Sequence, residues 1–135
     1  MAGTFGYELD PRTFTEDEKA LVKQQVQNYH KYYDTIHYGD LYRLISPYDG
    51  HADRAVWSFV SRDKSKALLT AATFQRTFNQ SFWIRMQGLD PDKTYYCAEL
   101  NLTASGARLM NVGLNFFQQL GWIGSAGEYW FEEVK

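Results

Sequence analysis

Residues 39–61 read GDLYRLISPYDGHADRAVWSFVS, and this stretch marks a change of pattern along the chain. Two short runs in it, at 41–46 and 55–61, are rich in aromatic and β-branched residues and are typical of strands. Between them lie proline, glycine and aspartates, the residues that turns use. We therefore expect the first two strands of an antiparallel sheet joined by a loop. Its carboxylates should form the turn, and its aromatic side chains should lie mostly in a core.

The segment before this stretch predicts one long amphipathic helix, at about residues 15–36. Thr15 with Glu18 fits a capping box at its start, and Thr13 with Glu16 fits as well. Acidic residues fill the first turn, where the helix dipole favours them. The apolar residues recur at the spacing of a single helix face, which contains Val22, Val26, Tyr29, Tyr33 and Ile36.

The rest of the chain predicts strands. Upstream of the predicted helix, residues 4–10 read as a strand fragment that ends at a proline turn. Downstream, short strand-like runs alternate with turn residues, and no helix is expected between them. The run at 82–87 alternates cleanly, with Phe82, Ile84 and Met86 on one face. This spacing predicts an antiparallel β-sandwich of Greek-key type, preceded by one long α-helix.

Length, charge and cysteine content narrow the class of protein. The chain has 135 residues, a net charge of −2 and one cysteine, which suits one domain or one domain plus a fragment. The basic residues are dispersed, which argues against a nucleic-acid partner. No apolar run approaches about 18 residues, so no membrane span is expected, and the N-terminus lacks the regions of a signal peptide. Cys97 lies in a strand-like run, which indicates a buried structural thiol and a cytoplasmic location.

The polar clusters do not single out a catalytic site. Asp49, His51 and Asp53 in the sequence DGHAD could hold a divalent metal ion, but their position between two strands favours a solvated hairpin loop. His30 and His37 share one side of the predicted helix without a third ligand. No spacing selects a catalytic pair among the carboxylates, which include Asp34, Asp40, Glu99 and Glu128. We expect no metal, cofactor or catalytic residue. A small free-standing enzyme that uses the DGHAD residues is a further hypothesis for the function.

Aromatic residues make up 17% of the chain. Such side chains bury large areas in cores, and they also stack on sugar rings. Four tryptophans could form a sugar-binding platform: Trp57, Trp83, Trp122 and Trp130. Their strand-like surroundings predict burial, so we expect no sugar binding at millimolar concentration. An independent carbohydrate-binding module that uses these side chains is the alternative function.

Five stretches, in order along nearly the whole chain, resemble the glycoside hydrolase family 36 α-galactosidases. FGYELD and FTEDEKALVKQQVQNYHKYYDTIHYGDLYRLISP are similar to the end of their catalytic barrel. AVWSFVSRDKSKALL, MQGLDPDKTYY and SGARLMNVGL are similar to their C-terminal β-sandwich. In the last stretch Met110, Gly113 and Leu114 match. Ala107 and Arg108 stand where the family commonly has an acid, so a polar contact from that acid is not expected.

The resemblance implies that residues 1–38 are the last strand and helix of a truncated (β/α)₈ barrel and that residues 39–135 are a C-terminal antiparallel β-sandwich domain. The catalytic aspartates of the family lie on earlier barrel strands, and no residue here matches their motifs. The chain is therefore expected to be a noncatalytic domain with a structural and assembly role, whose parent is a retaining enzyme that hydrolyses terminal α-galactosides.

The resemblance also implies partners. In the parent enzyme the apolar face of the helix, from Val22 to Ile36, would pack on the catalytic barrel. Without that barrel the helix could fray, fold back onto the sandwich or pair with the same helix of another chain. Because exposed apolar surface is usually relieved by association, we expect a homo-oligomer with this face in the contact.

Overall fold

The computed structural model describes residues 5–8, 10–50, 53–74, 83–115 and 126–134. These ranges contain a single 3₁₀ turn (Pro11–Thr13), two α-helices and eight strands. The helices are α1 (Glu16–Tyr38) and α2 (Gly106–Asn111), and the strands are β1 (Asp40–Ile45), β2 (Arg54–Val60), β3 (Lys66–Thr73), β4 (Trp83–Ile84), β5 (Thr94–Cys97), β6 (Leu102–Ser105), β7 (Leu114–Asn115) and β8 (Ala126–Val134).

The strands form two antiparallel sheets. The larger has the order β1-β2-β3-β8-β5-β6, and the smaller pairs β4 with β7. Side chains from one face of the large sheet meet those of the small sheet and of α2 in the main core. Its largest fully buried members include Tyr95, Phe131, Leu69, Ile84, Met86 and Leu109. The expected antiparallel sandwich after one long helix is confirmed, and the first two strands lie within one residue of their predicted positions.

Helix α1 begins where one of the two possible capping boxes placed it. The backbone N–H of Glu18 donates to Oγ1 of Thr15 at 3.3 Å, and the backbone N–H of Thr15 donates to Oε2 of Glu18 at 2.8 Å. The helix runs to Tyr38 and ends at Gly39. A Cβ on Gly39 would lie 2.4 Å from the carbonyl oxygens of Thr35 and Val60, so glycine is required where the helix end meets β2.

Helix α2 corrects the expectation that no helix lies between the strands. Oγ of Ser105 accepts from the backbone N–H of Arg108 and caps the helix. Gly106 sits so close to the backbone of Asp90 that a Cβ would lie 1.9 Å from its oxygen. Leu109 is fully buried in the main core. A helix of six residues is too short to show a periodic apolar pattern, so it could not be predicted from hydrophobic periodicity.

The segment before α1 has no strand in the part of the chain that the structure describes. Residues 5–8 have no regular secondary structure, whereas the sequence predicted a strand fragment at 4–10. A strand needs a neighbour for its backbone hydrogen bonds, and no strand of the described chain pairs with this segment. The segment lies beside α1 instead, with the ring of Phe5 5.3 Å from that of Tyr29.

Candidate functional site

Helix α1 is anchored to the large sheet by an apolar row of side chains. Phe59, Leu68 and Trp130 are direct cross-strand neighbours on β2, β3 and β8. Tyr32 and Ile36, from the C-terminal half of α1, pack on this row, and all of these side chains are buried. The rings of Tyr32 and Trp130 lie 4.9 Å apart. The row therefore fixes the helix on the face of the sheet that points away from the main core.

The next row of side chains on the same face of the large sheet is partly polar. Trp57, Thr70 and Glu128 are direct neighbours on the same three strands. The N-terminal half of α1 faces this row across an open cleft of about 690 Å³, which we call the α1 cleft. The helix lines it with Leu21, Gln24, Gln25 and Asn28, and the N-terminal segment lines it with Phe5 and Tyr7.

The α1 cleft contains polar atoms that lack a partner. In the described part of the chain, Nε1 of Trp57 and Oγ1 of Thr70 are buried without a hydrogen bond. Most buried polar groups in proteins are hydrogen-bonded, and leaving one unpaired costs about 1–3 kcal/mol. Ser58 and Trp130 each carry one further atom of this kind. The two orphaned atoms of the cleft belong to directly paired residues, so they mark one place on the sheet.

A second surface lies on the side of α1 next to the cleft. It consists of aromatic rings that touch in sequence, and we call it the aromatic stripe: Phe5, Tyr7, Tyr29, Tyr33, His37 and Tyr38. The hydroxyl of Tyr29 lies 2.9 Å from Nε2 of His37, and the rings of Tyr33 and His37 are 4.2 Å apart. Tyr33 and Tyr38 are 39% and 59% exposed, so this stripe faces outward.

The five residues predicted as an interface fall on both surfaces of α1. Ile36 is buried on the sheet, and Tyr29 lies at the edge of that contact. Val22 and Val26 are half-buried beside Phe14 and the N-terminal segment, and Tyr33 is exposed. The helix face that packs on the sheet is rotated by one residue, about 100°, from the predicted one, because it carries Tyr32 rather than Tyr33.

Among the described residues, the tryptophans considered as a sugar platform present no common exposed surface, because Trp130 is buried and Trp83 lies in a different sheet from Trp57. Trp130 is 2% exposed, covered by the ring of Tyr32 and by Nζ of Lys31 at 5.2 Å from its ring. Trp57 is half-buried at the floor of the α1 cleft. Trp83 is 55% exposed on β4, in the other sheet, and Trp122 lies outside the described residues.

The DGHAD loop and the helix histidines form no metal site in the described chain. His51 lies outside the described residues, Asp49 is exposed, and Asp53 is ion-paired with Arg54. No three histidine, cysteine, aspartate or glutamate side chains among the described residues come together as metal ligands. His37 is bound to Tyr29 across one side of the helix, and His30 is exposed.

Cys97 is a structural thiol. It is fully buried, and burial raises the pKa of its thiol to about 12, with the adjacent Glu99 carboxylate adding to the effect. Sγ of Cys97 donates to Oε2 of Glu99 at 3.2 Å, and the backbone N–H of Trp130 donates to the same oxygen. A thiol of this kind is protonated at neutral pH and is a poor nucleophile. Among the described residues, neither α1 nor α2 combines the length and the hydrophobicity that a membrane-spanning helix requires.

Comparison with known proteins identifies the class to which this fold belongs. Residues 54–130, more than half of the chain, match the family model of the "Glycosyl hydrolase family 36 C-terminal domain". The chain therefore belongs to this family of C-terminal domains, which are not the catalytic domains of their enzymes.

Individual relatives are α-galactosidases. The chain is 38% identical over 115 residues to "Alpha-galactosidase AgaA" of Geobacillus stearothermophilus and 36% identical over 115 residues to "Bifunctional alpha-galactosidase/sucrose kinase AgaSK" of Mediterraneibacter gnavus. Each match covers 84% of this chain but only 15% and 12% of those proteins. The crystal structure of the former superposes with a TM-score of 0.89 at 33% identity, over 98% of this chain and 18% of that chain.

Proposed function

We propose that this chain is a noncatalytic structural domain of a retaining α-galactosidase, where it covers one side of the catalytic barrel and stabilises the assembled enzyme. The support comes from the small share of the relatives that it spans and from the side of α1 that it leaves open. The superposition on the Geobacillus enzyme extends over 98% of the chain. The packing of α1 on the sheet is therefore compatible with a chain that continues into a larger enzyme.

The aromatic stripe carries this proposal. It is continuous with the groove between the N-terminal segment and α1, whose walls include Phe14, Val22 and Val26. A large apolar side chain that is moved from water into a contact contributes roughly 1.5–3 kcal/mol. Covering several of these side chains would supply the energy of a stable domain contact. We assign the barrel to this side because the opposite side of α1 is already packed on the sheet.

A chimera tests this role. The C-terminal part of the Geobacillus enzyme is replaced by this chain, and hydrolysis of an aryl α-galactoside is measured before and after heating. We expect an active chimera, and we expect Val26→Asp with Tyr33→Asp to lower its thermal inactivation temperature. Ala20→Asp with Gln27→Asp, two exposed positions of the same helix, is the matched control. Equal inactivation of both pairs would argue against the stripe as the contact.

The isolated chain completes the test of the noncatalytic role. We expect it to hydrolyse no aryl α-galactoside above the rate in buffer. Turnover that Asp49→Asn or Asp53→Asn abolishes would instead favour an enzyme built on the DGHAD loop. Self-association of the isolated chain, in which no barrel covers the stripe, and a cytoplasmic location are further parts of this proposal. The exposed stripe supports the first, and the single buried thiol supports the second.

A further inference from the structure

The face of α1 that lies over the sheet changes character halfway along the helix. Tyr32 and Ile36 continue the positions of Gln24, Gln25 and Asn28 at helical spacing, so all five point toward the same sheet. The apolar half meets an apolar row, and the half with three carboxamides meets the row Trp57–Thr70–Glu128. A helix that only needed to pack would keep its sheet-facing side apolar throughout. The polar half therefore requires another explanation.

The chemistry of the cleft favours a ligand that is rich in hydroxyl groups and carries no negative charge. The carboxamides both donate and accept hydrogen bonds, Nε1 of Trp57 donates, and Oγ1 of Thr70 does either. Glu128 is the only residue charged at neutral pH among the described residues that line the cleft, and no lysine or arginine is among them. A phosphate or carboxylate ligand would thus find no cation here.

We propose that the α1 cleft is a binding site for a neutral oligosaccharide, with Trp57 and Thr70 at its floor and the carboxamides of α1 at its rim. The cleft of about 690 Å³ has the size of a small-molecule site. Both atoms are covered in the unliganded chain, so a sugar reaches them by displacing side chains at the floor of the cleft, and its hydroxyls then supply the partners that Nε1 of Trp57 and Oγ1 of Thr70 lack. Phe5 and Tyr7 flank the cleft with rings on which the apolar face of a pyranose packs.

This site differs from the platform of exposed tryptophans considered from the sequence, since among the three of those tryptophans that the structure describes Trp57 alone lines it. It also reverses the expectation that no sugar binds. The choice of an α-galactoside as a probe rests on the proposed function, whereas the cleft itself requires only a neutral sugar. Raffinose, a bound ligand in a crystal structure of a Geobacillus relative, is therefore tested beside maltose.

The test is a titration of the full chain with each sugar, followed by tryptophan fluorescence and by saturation-transfer NMR. We expect saturable binding of raffinose with a dissociation constant in the millimolar range. Thr70→Val keeps the shape of the side chain and removes one hydrogen bond, so binding should weaken by about five- to tenfold. Trp57→Phe removes the indole N–H and should weaken binding by a similar factor.

Trp83→Phe is the control, because it makes the same substitution at an exposed tryptophan of the other sheet. The proposal that the cleft binds sugar is supported if Thr70→Val and Trp57→Phe weaken binding and Trp83→Phe leaves it unchanged. Near-UV circular dichroism shows whether each variant is folded. If Trp57→Phe does not fold, the result for Thr70→Val alone decides whether the cleft binds sugar. Absence of saturation with both sugars, or equal binding by all variants, overturns the proposal. Binding of maltose without raffinose keeps the cleft as a sugar site and counts against its link to α-galactosides.

Discussion

Tyr95 shows at the scale of one residue how the loops at one end of the sandwich are held. Its side chain is fully buried, its hydroxyl donates to the carbonyl of Lys64 at 2.7 Å, and it accepts from the backbone N–H of Asp90 at 3.1 Å. Lys64 has a positive φ of 58°, a backbone conformation that residues other than glycine seldom adopt. One phenol thus joins the turn between β2 and β3 to the loop before β5.

We expect Tyr95→Phe to lower the free energy of unfolding by about 1–2 kcal/mol, because the carbonyl of Lys64 and the backbone N–H of Asp90 both lose their side-chain partner. Tyr96→Phe is the control on the same strand, where the side chain is 39% exposed, and it should change stability by less than about 0.5 kcal/mol. Urea denaturation of both variants measures the difference. Equal effects would mean that the hydroxyl of Tyr95 contributes nothing to the fold.

The β2–β3 hairpin illustrates the scale of an element, because its turn depends on one carboxylate. Asp63 accepts from Oγ of Ser61 and from the backbone N–H and Oγ of Ser65. These hydrogen bonds lower the pKa of Asp63 from 3.8 to about 2. The unfolded chain therefore binds the proton first as the pH falls. The stabilisation is complete above pH 3.8 and is lost as the pH falls toward about 2.

Asp63→Ala should accordingly lower the free energy of unfolding by about 0.5–1 kcal/mol at neutral pH, a modest value because the carboxylate is exposed. The difference in free energy of unfolding between Asp63→Ala and the unsubstituted chain should disappear as the pH falls from 3.8 to about 2. Denaturation curves collected across this range measure it. Asp49→Ala, at an exposed loop position, is the control at neutral pH. A gap that stays constant to low pH would contradict the role of Asp63.

The orientation of α1 gives a prediction from two adjacent tyrosines. Tyr32 is 3% exposed against Trp130, whereas Tyr33 is 39% exposed on the aromatic stripe. Tyr32→Ala should cost about 3–5 kcal/mol, as for other buried aromatic side chains, and Tyr33→Ala in the isolated chain should cost less than about 1 kcal/mol. Thermal unfolding compares the two. The reverse order would mean that the helix packs by the face that periodicity first suggested.

These elements also show how far the sequence could go. The start of α1 was predictable because the capping box is local. The burial of Ile84 and Met86 agrees with the alternating run at 82–87, although only Trp83 and Ile84 of it form a strand and Phe82 lies outside the described residues. The face of α1 that packs on the sheet was not predictable, since the tyrosines at 29, 32 and 33 place apolar surface on two overlapping faces of the helix. The α1 cleft was not predictable either. Its floor depends on the register of β2, β3 and β8, and β8 lies more than 50 residues further along the chain.

At the scale of the whole molecule, the aromatic stripe should govern association. The chain alone leaves Tyr7, Tyr33 and Tyr38 of this stripe exposed, and contiguous apolar surface is usually relieved by contact with another molecule. We expect concentration-dependent self-association in sedimentation experiments, and Val26→Asp with Tyr33→Asp should shift the chain to monomer while its near-UV spectrum stays unchanged. A chain that sediments as a monomer across micromolar concentrations would contradict this.

The position of β8 has a consequence for biosynthesis. This strand comes last among the described elements, yet it lies between β3 and β5 and joins the group β1-β2-β3 to the pair β5-β6. A ribosome that has not yet translated residues 126–134 therefore holds two unjoined pieces of sheet with open edges. Such edges recruit other strands, and pairings this distant in sequence form slowly. Folding of the domain must follow its translation, and a premature stop codon even a few residues before β8 would remove the centre of the sheet.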